Sequence, residues 1–231
     1  MTTPQEVRDE RPLDPLAYER GFWGRSIFEI AGVDEAGRGP VAGPVVAAAV
    51  VLPPDCWIEG AADSKVLTRE VRAEIYDRIL VRAVAVGVGA ASTREIDRVN
   101  ILKATARAMD RALRALRSRP SHIVVDGLPM KDLPWEHEAV DDGDAKVHSV
   151  ACASIVAKVS RDRLMARLAL KYPRYRWETN MGYGTPDHIK AAARAALELS
   201  PGTVGKYTEV GGVLPLRKAI AAELSSVHKV D

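Results

Sequence analysis

Five short segments of this chain are rich in apolar and β-branched residues and are bounded by glycine, proline or charged positions. This pattern is typical of β-strands, whose side chains pack on the two faces of a pleated sheet. In four longer stretches, apolar residues recur at helical spacing. The predicted strands are residues 28–34, 45–52, 84–91, 122–126 and 146–150, and the predicted helices are residues 68–82, 100–119, 151–171 and 186–199.

The connections between these elements indicate how the sheet is arranged. Residues 39–44 form a short Gly- and Pro-containing link, so the first two strands are predicted to be antiparallel neighbours. The later strands are separated by helices, which favours parallel pairing. A chain of 231 residues with 47% hydrophobic content can bury one substantial core. We therefore expect an α/β protein with a mixed sheet flanked by helices.

Composition adds little to this picture, but the placement of charge adds more. The formal net charge of +2 is too small to indicate a nucleic-acid partner. Basic residues nevertheless outnumber acidic ones over residues 65–119, whereas residues 136–144 are acidic. The two cysteines match no metal-ligand spacing, which is typical of a reduced cytoplasmic protein with buried or partly exposed thiols. No signal peptide or membrane span is expected, because no sufficiently long apolar run is present.

The adjacent acids Asp34 and Glu35 stand at the end of the first predicted strand. Neighbouring carboxylates repel unless a proton or cation intervenes, and Mg²⁺ and Mn²⁺ take carboxylate oxygens as ligands. Successive strand side chains point to opposite faces, so both acids can face one ion only where the strand ends or bends. Gly37 and Gly39 can supply such a break. Asp-Glu before a glycine is also common in ordinary turns, and this alternative stays open from these residues alone.

The longer segment favours the first interpretation. Residues 31–52, AGVDEAGRGPVAGPVVAAAVVL, closely resemble the signature of the ribonuclease HII family, the type 2 RNase H enzymes. Further matches follow in the family's order at residues 63–68, 96–101, 124–127, 143–144, 153–162 and 182–185. The resemblance implies an RNase H-like fold with a mixed five-stranded sheet and a C-terminal helical extension. It divides the chain into an N-terminal extension (1–27), a catalytic domain (28–190) and a divergent C-terminal extension (191–231).

Acidic residues further along the chain complete the expected centre. Asp126 follows the apolar residues 123–125 and precedes a glycine, at the carboxyl end of a predicted strand, where α/β sheets gather ligands. Asp141, Asp142 and Asp144 are all available as a fourth acid, and the family's register selects Asp144. The resemblance implies catalytic and metal-binding roles for four carboxylates holding two divalent cations, Mn²⁺ or Mg²⁺: Asp34, Glu35, Asp126 and Asp144.

The resemblance also implies an activity and a substrate. Family members are endoribonucleases that hydrolyse the phosphodiester on the 5′ side of ribonucleotides, by a two-metal mechanism that leaves 3′-hydroxyl and 5′-phosphate ends. The expected substrates are RNA-DNA hybrids and single ribonucleotides in duplex DNA, which links the activity to DNA replication and repair. By resemblance, Gly37, Arg38 and Gly39 contact the 2′-hydroxyl and Tyr183 packs on the adjoining deoxyribose. Ser64 and Lys65 match a motif near the phosphate backbone. A monomer is expected.

Three departures from the family pattern keep alternatives open. Asp142 and Met181 stand where lysines are usual, and the family's usual segment after His188 does not appear. These departures motivate one rival hypothesis, a catalytically impaired hybrid-binding protein. A ribonuclease HIII-like nuclease is the enzymatic rival, although Tyr183 within Gly-Tyr-Gly-Thr favours ribonuclease HII. His148 and His188 are possible general bases, although lone histidines are more often structural. Basic residues at helical spacing face either phosphates or solvent: Lys103, Arg107, Arg111 and Arg114 on one helix, and Arg161, Arg163, Arg167 and Lys171 on another.

Overall fold

A mixed sheet in the order β3-β2-β1-β4-β5 forms the centre of the computed structural model, which describes residues 14–61 and 67–199, with side chains through residue 195. Within these ranges the strands are β1 (Ile30–Ala36), β2 (Val45–Val51), β3 (Ala85–Ala91), β4 (His122–Asp126) and β5 (Glu138–Val140). The helices are α1 (Ala17–Trp23), α2 (Arg69–Arg82), α3 (Thr93–Val99), α4 (Ile101–Arg114), α5 (Gly143–Lys146), α6 (His148–Lys171), α7 (Trp177–Asn180) and α8 (Pro186–Leu199).

The two faces of the sheet are covered by different helices. On one face, α4 packs its alanines, Met109 and Leu113 against β1, β2 and β3. On the other face, α6 lies across β1 and β2, and α2 packs beside it. Gly32 makes this close approach possible, because a Cβ atom there would lie 2.2 Å from the backbone carbon of Ser149. The central helix α6 is therefore held directly against the central strand β1.

Strand pairing confirms the predicted mixed sheet. Strands β1 and β2 are antiparallel, whereas β4 is parallel to both β1 and β5. One expectation was wrong: β3 follows a helix yet pairs antiparallel with β2. The physical reason is that α2 brings the chain back to the end of the sheet at which β2 stops. There the backbone N–H of Val84 donates to the carbonyl of Val51 at 2.9 Å. The chain thus re-enters the sheet at the end it had left.

The predicted strand at residues 146–150 was also wrong. Helix α5 ends at Lys146 and α6 begins at His148, while the fifth strand is the three-residue β5. Val147 precedes α6 with an extended backbone and Val150 lies in the first turn of that helix, and both pack beside Ile30 and Val124. The short apolar run thus marks a buried helix start, which apolar pattern alone does not distinguish from a strand. The predicted extension beyond residue 199 lies outside the described residues. In the part of the chain that is described, no helix is long and apolar enough to cross a membrane.

Candidate active site

A cleft of about 430 Å³ opens at the carboxyl ends of β1 and β4. Because Val33 pairs with Val125 in parallel register, Asp34 and Asp126 occupy the next, equivalent positions of the two strands. The cleft brings together eight of the ten residues predicted from sequence, namely Asp34, Glu35, Gly37, Arg38, Gly39, Asp126, Asp144 and Tyr183. Ser64 and Lys65 lie outside the described residues.

Asp34 is the most deeply buried of the four acids, with 6% of its surface exposed. Its Oδ1 accepts a hydrogen bond from the backbone N–H of Glu35 at 2.6 Å. Burial is the main reason that its pKa lies well above the usual value, and the charges of Glu35 and Asp126 raise it further, whereas a hydrogen bond from Ser154 opposes the shift. Burial and the neighbouring negative charges therefore destabilise the ionised form of Asp34, and a nearby cation would stabilise it.

Glu35 experiences the same environment with one compensating partner. Burial raises its pKa and Asp126 contributes in the same direction, while the Arg38 guanidinium lowers it. Arg38 Nη1 lies 2.8 Å from Glu35 Oε1. Strand β1 ends slightly later than predicted. It continues past both acids to Ala36, and Gly37 follows with a φ of 112°. Both acids still line the cleft.

Asp126 connects the strand end to the element that carries Asp144. Its Oδ1 accepts hydrogen bonds from the backbone N–H groups of Gly143 at 2.7 Å and Asp144 at 3.4 Å. These groups begin the short helix α5, whose unsatisfied amides favour a carboxylate. Asp142 has a left-handed backbone and an exposed side chain and does not line the cleft. The structure thus places Asp144, rather than Asp142, beside the other acids.

The chemistry of these donors fits hard divalent cations. Within residues 14–61 and 67–199, no three Asp, Glu, His or Cys side chains are already grouped as a metal site. The acids lining the cleft nonetheless offer only carboxylate oxygens, which Mg²⁺ and Mn²⁺ prefer. Asp126 raises the pKa of both Asp34 and Glu35, because the negative charges of these acids repel one another. The residues present therefore suit bound cations at this end of the sheet.

Arg161, which is 1% exposed, binds the backbone of the loop between β1 and β2, the loop that begins with the Gly-Arg-Gly segment. The guanidinium donates to three backbone carbonyls: Nε to Pro44 at 3.0 Å, Nη2 to Ala42 at 3.0 Å and Nη1 to Met181 at 2.8 Å. Arg161 therefore joins the loop after β1 to the loop that carries Tyr183. This contradicts the expectation that Arg161 faces either phosphates or solvent. Two expected basic positions on α4 are exposed but ion-paired, Arg111 with Glu95 and Arg114 with Asp110.

Tyr183 stands at the rim of the cleft with 46% of its surface exposed. Its Cε1 lies 3.9 Å from the position that a Cβ atom on Gly39 would take, and Lys158 Nζ lies 5.8 Å from its ring centroid. Lys158 also pairs with Asp162 at 2.8 Å. Met181, one of the departures from the family pattern, is buried in a cluster with Trp177 and Met165. Its side chain belongs to the core.

Neither candidate histidine lines the cleft. His148 is buried, and its Nε2 accepts a hydrogen bond from the Ile58 backbone at 2.9 Å. His188 is also buried between Trp177 and Tyr183. The free cysteines Cys56 and Cys152 are buried as well. The buried histidine nitrogens therefore act in structural hydrogen bonds.

Four residues that line the cleft were not predicted as site residues: Arg72, Ser154, Lys158 and Arg161. Three of them lie on α6 at positions i, i+4 and i+7, which is the spacing of one helix face. That spacing within the motif at 153–162 was a signal that could have identified them. Arg72 on α2 donates to the Leu67 carbonyl at 2.7 Å, and no comparable sequence signal marks it.

The sheet order and the cleft at the ends of β1 and β4 define a protein with the RNase H-like fold. The family model described as Ribonuclease HII matches residues 31–207. The ribonuclease HII of Thermosynechococcus vestitus is 51% identical over 184 residues, which are 78% of this chain and 85% of that protein. The ribonuclease HII of Geobacillus kaustophilus is 46% identical over 186 residues, 80% of this chain and 71% of that protein.

Solved structures give the same result. The ribonuclease H2 of Pyrococcus horikoshii superimposes with a TM-score of 0.65 and 30% identity, covering 84% of this chain and 97% of that one. An RNase HIII (Bst-RNase HIII) solved in complex with Mn²⁺ shares the fold, with a TM-score of 0.61 and 21% identity over 86% of this chain and 71% of that one. The chain belongs to the ribonuclease HII family, and it is accordingly a ribonuclease H, an enzyme that acts on nucleic acid.

Proposed function

We propose that the protein is an endoribonuclease that hydrolyses the phosphodiester on the 5′ side of ribonucleotides, both in RNA-DNA hybrids and at single ribonucleotides within duplex DNA. The products have 3′-hydroxyl and 5′-phosphate ends, and the cellular role is removal of ribonucleotides during DNA replication and repair. The observation that carries the proposal is the assembly of four acids, a Gly-Arg-Gly loop and an exposed tyrosine around one cleft.

Asp34, Glu35, Asp126 and Asp144 would hold two divalent cations, Mg²⁺ or Mn²⁺. When bound, such cations supply a lowered pKa for an attacking water and positive charge beside the departing oxygen. The protein itself concentrates negative charge in a partly buried cleft. Burial and mutual repulsion destabilise the ionised forms of Asp34 and Glu35, as their raised pKa values indicate. A bound cation would stabilise these ionised forms.

Recognition of the ribonucleotide requires a group that senses the 2′-hydroxyl. Gly37, Arg38 and Gly39 offer backbone atoms at the rim of the cleft, and glycines allow a sugar to approach them closely. Tyr183 presents its ring beside Gly39, where it would pack on the deoxyribose that follows the ribonucleotide. Together the two elements would read the junction from RNA to DNA. Ser64 and Lys65 would contact the phosphate backbone.

Basic side chains around the acids would bind the phosphates of the substrate strand. Lys158 lines the cleft close to Tyr183, and Arg72 lies on its α2 side. The Arg38 guanidinium already forms an ion pair with Glu35, so a substrate phosphate would compete with this acid for it. Phosphate contacts release counterions, and binding should therefore weaken as salt is raised. We expect the enzyme to act as a cytoplasmic monomer.

The test compares two substrates and three proteins. A DNA duplex with a single ribonucleotide and a continuous RNA-DNA hybrid are each incubated with the wild type, Asp34→Asn and Asp126→Asn in Mg²⁺ or Mn²⁺, with EDTA as the control. We expect the wild type to cut both substrates and the variants to cut neither at a comparable rate. Sequencing-gel mobility identifies the cut position and the end groups.

The other outcomes distinguish the rival hypotheses. Cleavage of the hybrid with no cleavage of the single-ribonucleotide duplex would assign a ribonuclease HIII-like specificity. Metal-independent binding without any cleavage would assign a hybrid-binding protein. If Asp126→Asn cut as fast as the wild type, the proposed acid set would be wrong, whatever the substrate preference.

A further inference from the structure

Tyr183 is exposed, so its position depends on how its backbone is held. Met181 and Gly182 both have left-handed backbones, with φ of 48° and 85°, and they turn the chain sharply after α7. The Tyr183 N–H donates to the Asn180 carbonyl at 2.8 Å. On the other side, the Tyr183 carbonyl accepts from the Thr185 N–H at 2.8 Å and contacts His188 Nδ1 at 2.8 Å. The histidine is thus the side chain that anchors this residue.

The partners of His188 select one tautomer. A carbonyl oxygen only accepts, so Nδ1 must carry the proton that it donates to Tyr183. The indole N–H of Trp177 only donates, and it lies 3.1 Å from Nε2, which must therefore be unprotonated. His188 is 2% exposed, and Trp177 beside it is 1% exposed and stacked on Tyr175. The imidazole consequently has one orientation, with both ring nitrogens engaged in hydrogen bonds.

From this geometry we propose that His188 is a positioning residue for substrate recognition: its Nδ1–H fixes the Tyr183 carbonyl and thereby holds the tyrosine ring beside Gly39. The proposal rests on the proposed function, because it assumes that Tyr183 packs on the deoxyribose. It adds a link from the buried Trp177 through His188 to the exposed ring. Without the Nδ1–H bond, the ring must be ordered at the moment of binding, which weakens substrate binding.

Two substitutions separate the two hydrogen bonds of the ring. The side-chain amide of His188→Asn reaches the place of Nδ1 and retains a donor for Tyr183, whereas that of His188→Gln reaches the place of Nε2 and retains an acceptor for Trp177. Both variants remove the imidazole from the core, so thermal unfolding serves as the shared control. We expect His188→Gln to raise KM for the single-ribonucleotide duplex about tenfold with little change in kcat, the worth of about one hydrogen bond. His188→Asn should stay within about threefold of the wild type in KM.

The Tyr183→Ala background tests whether His188 acts through the tyrosine. In that background the further effect of His188→Gln should be within about twofold, because the ring it positions is absent. Equal KM values for the Asn and Gln variants, or an undiminished Gln effect in Tyr183→Ala, would overturn the proposal. A nitrogen-15 NMR measurement of the His188 tautomer needs no substrate: the Nδ1–H tautomer is expected, and an Nε2–H tautomer would refute the proposal. Failure of the wild type to cut would instead refute the proposed function.

Discussion

The carboxylate of Asp126 accepts a hydrogen bond of 2.7 Å from the backbone N–H of Gly143. The end of β4 therefore fixes the start of α5, the short helix that carries Asp144. One acid of the cleft positions another, and a change at Asp126 can act through charge or through geometry. Two substitutions distinguish these routes.

Asp126→Asn should retain an oxygen acceptor for Gly143 but remove the negative charge. We expect a loss of at least about 100-fold in kcat/KM on either proposed substrate, with thermal unfolding close to that of the wild type. Asp126→Ala removes the acceptor as well and should also lower thermal stability, because the first amides of α5 lose a partner. Circular dichroism during heating checks the stability. Equal stability of the Asn and Ala variants would show that the bond to Gly143 contributes little.

The two glycines of the Gly-Arg-Gly segment should respond differently to alanine. At Gly37 the backbone is left-handed, and a Cβ atom would lie 2.5 Å from both Arg161 Nε and the Pro44 carbonyl. Gly37→Ala should therefore destabilise the fold by about 2 to 4 kcal/mol in urea unfolding. A Cβ at Gly39 meets only Tyr183 Cε1 at 3.9 Å, an ordinary contact. Gly39→Ala is the matched control and should change stability by less than about 1 kcal/mol, whatever it does to substrate binding.

His148 should make stability depend on pH below neutrality. Burial lowers its pKa from about 6.5 in the unfolded chain to about 4 in the folded protein. As the pH falls from 6.5 towards 4, the unfolded chain takes up the proton first, so the stability that is complete above 6.5 is progressively lost. The loss should be on the order of 2 to 3 kcal/mol. Urea unfolding at several pH values measures it.

His148→Gln provides the control for this pH dependence. The glutamine carbonyl can replace Nε2 as the acceptor for the Ile58 N–H, but it does not titrate in this range. The variant should therefore lose the decrease between pH 6.5 and 4 that belongs to this residue. Because His148 does not line the cleft, its cleavage rate at pH 8 should remain within about threefold of the wild type. An unchanged pH profile of stability would assign the effect to other groups.

Local pattern predicted four of the five strands, β1 to β4, as apolar runs. It did not by itself predict the acids, because an ordinary turn stayed open for Asp34 and Glu35, and the resemblance to the ribonuclease HII family selected Asp144. In the structure, Asp34 and Asp126 come together through the parallel register of β1 and β4. The strand β5 has only three residues and begins with the exposed Glu138, so it carries almost no apolar signal. The role of Arg161 was equally hidden, because its partners Pro44 and Met181 are distant in sequence and offer only backbone carbonyls. Patterns of residue types do not identify such partners.

Arg161 gives the sharpest test of how the recognition loops are held together. Burial lowers its pKa, and the cost of the buried charge is offset by three carbonyl acceptors from two loops. Arg161→Lys keeps the charge but cannot donate in three fixed directions. Loss of two charge-assisted bonds should destabilise the fold by about 3 kcal/mol or more in urea unfolding. Arg163→Lys on the same helix is the control, since Arg163 is exposed and its contact with Asp77 is 3.8 Å long. Similar stabilities for the two variants would contradict the assigned role of Arg161, because the Arg161 guanidinium adds three hydrogen bonds to the two backbone bonds that Val41 and Ala42 donate to the Gly182 carbonyl, whereas among the described residues Arg163 makes no such bond between these loops.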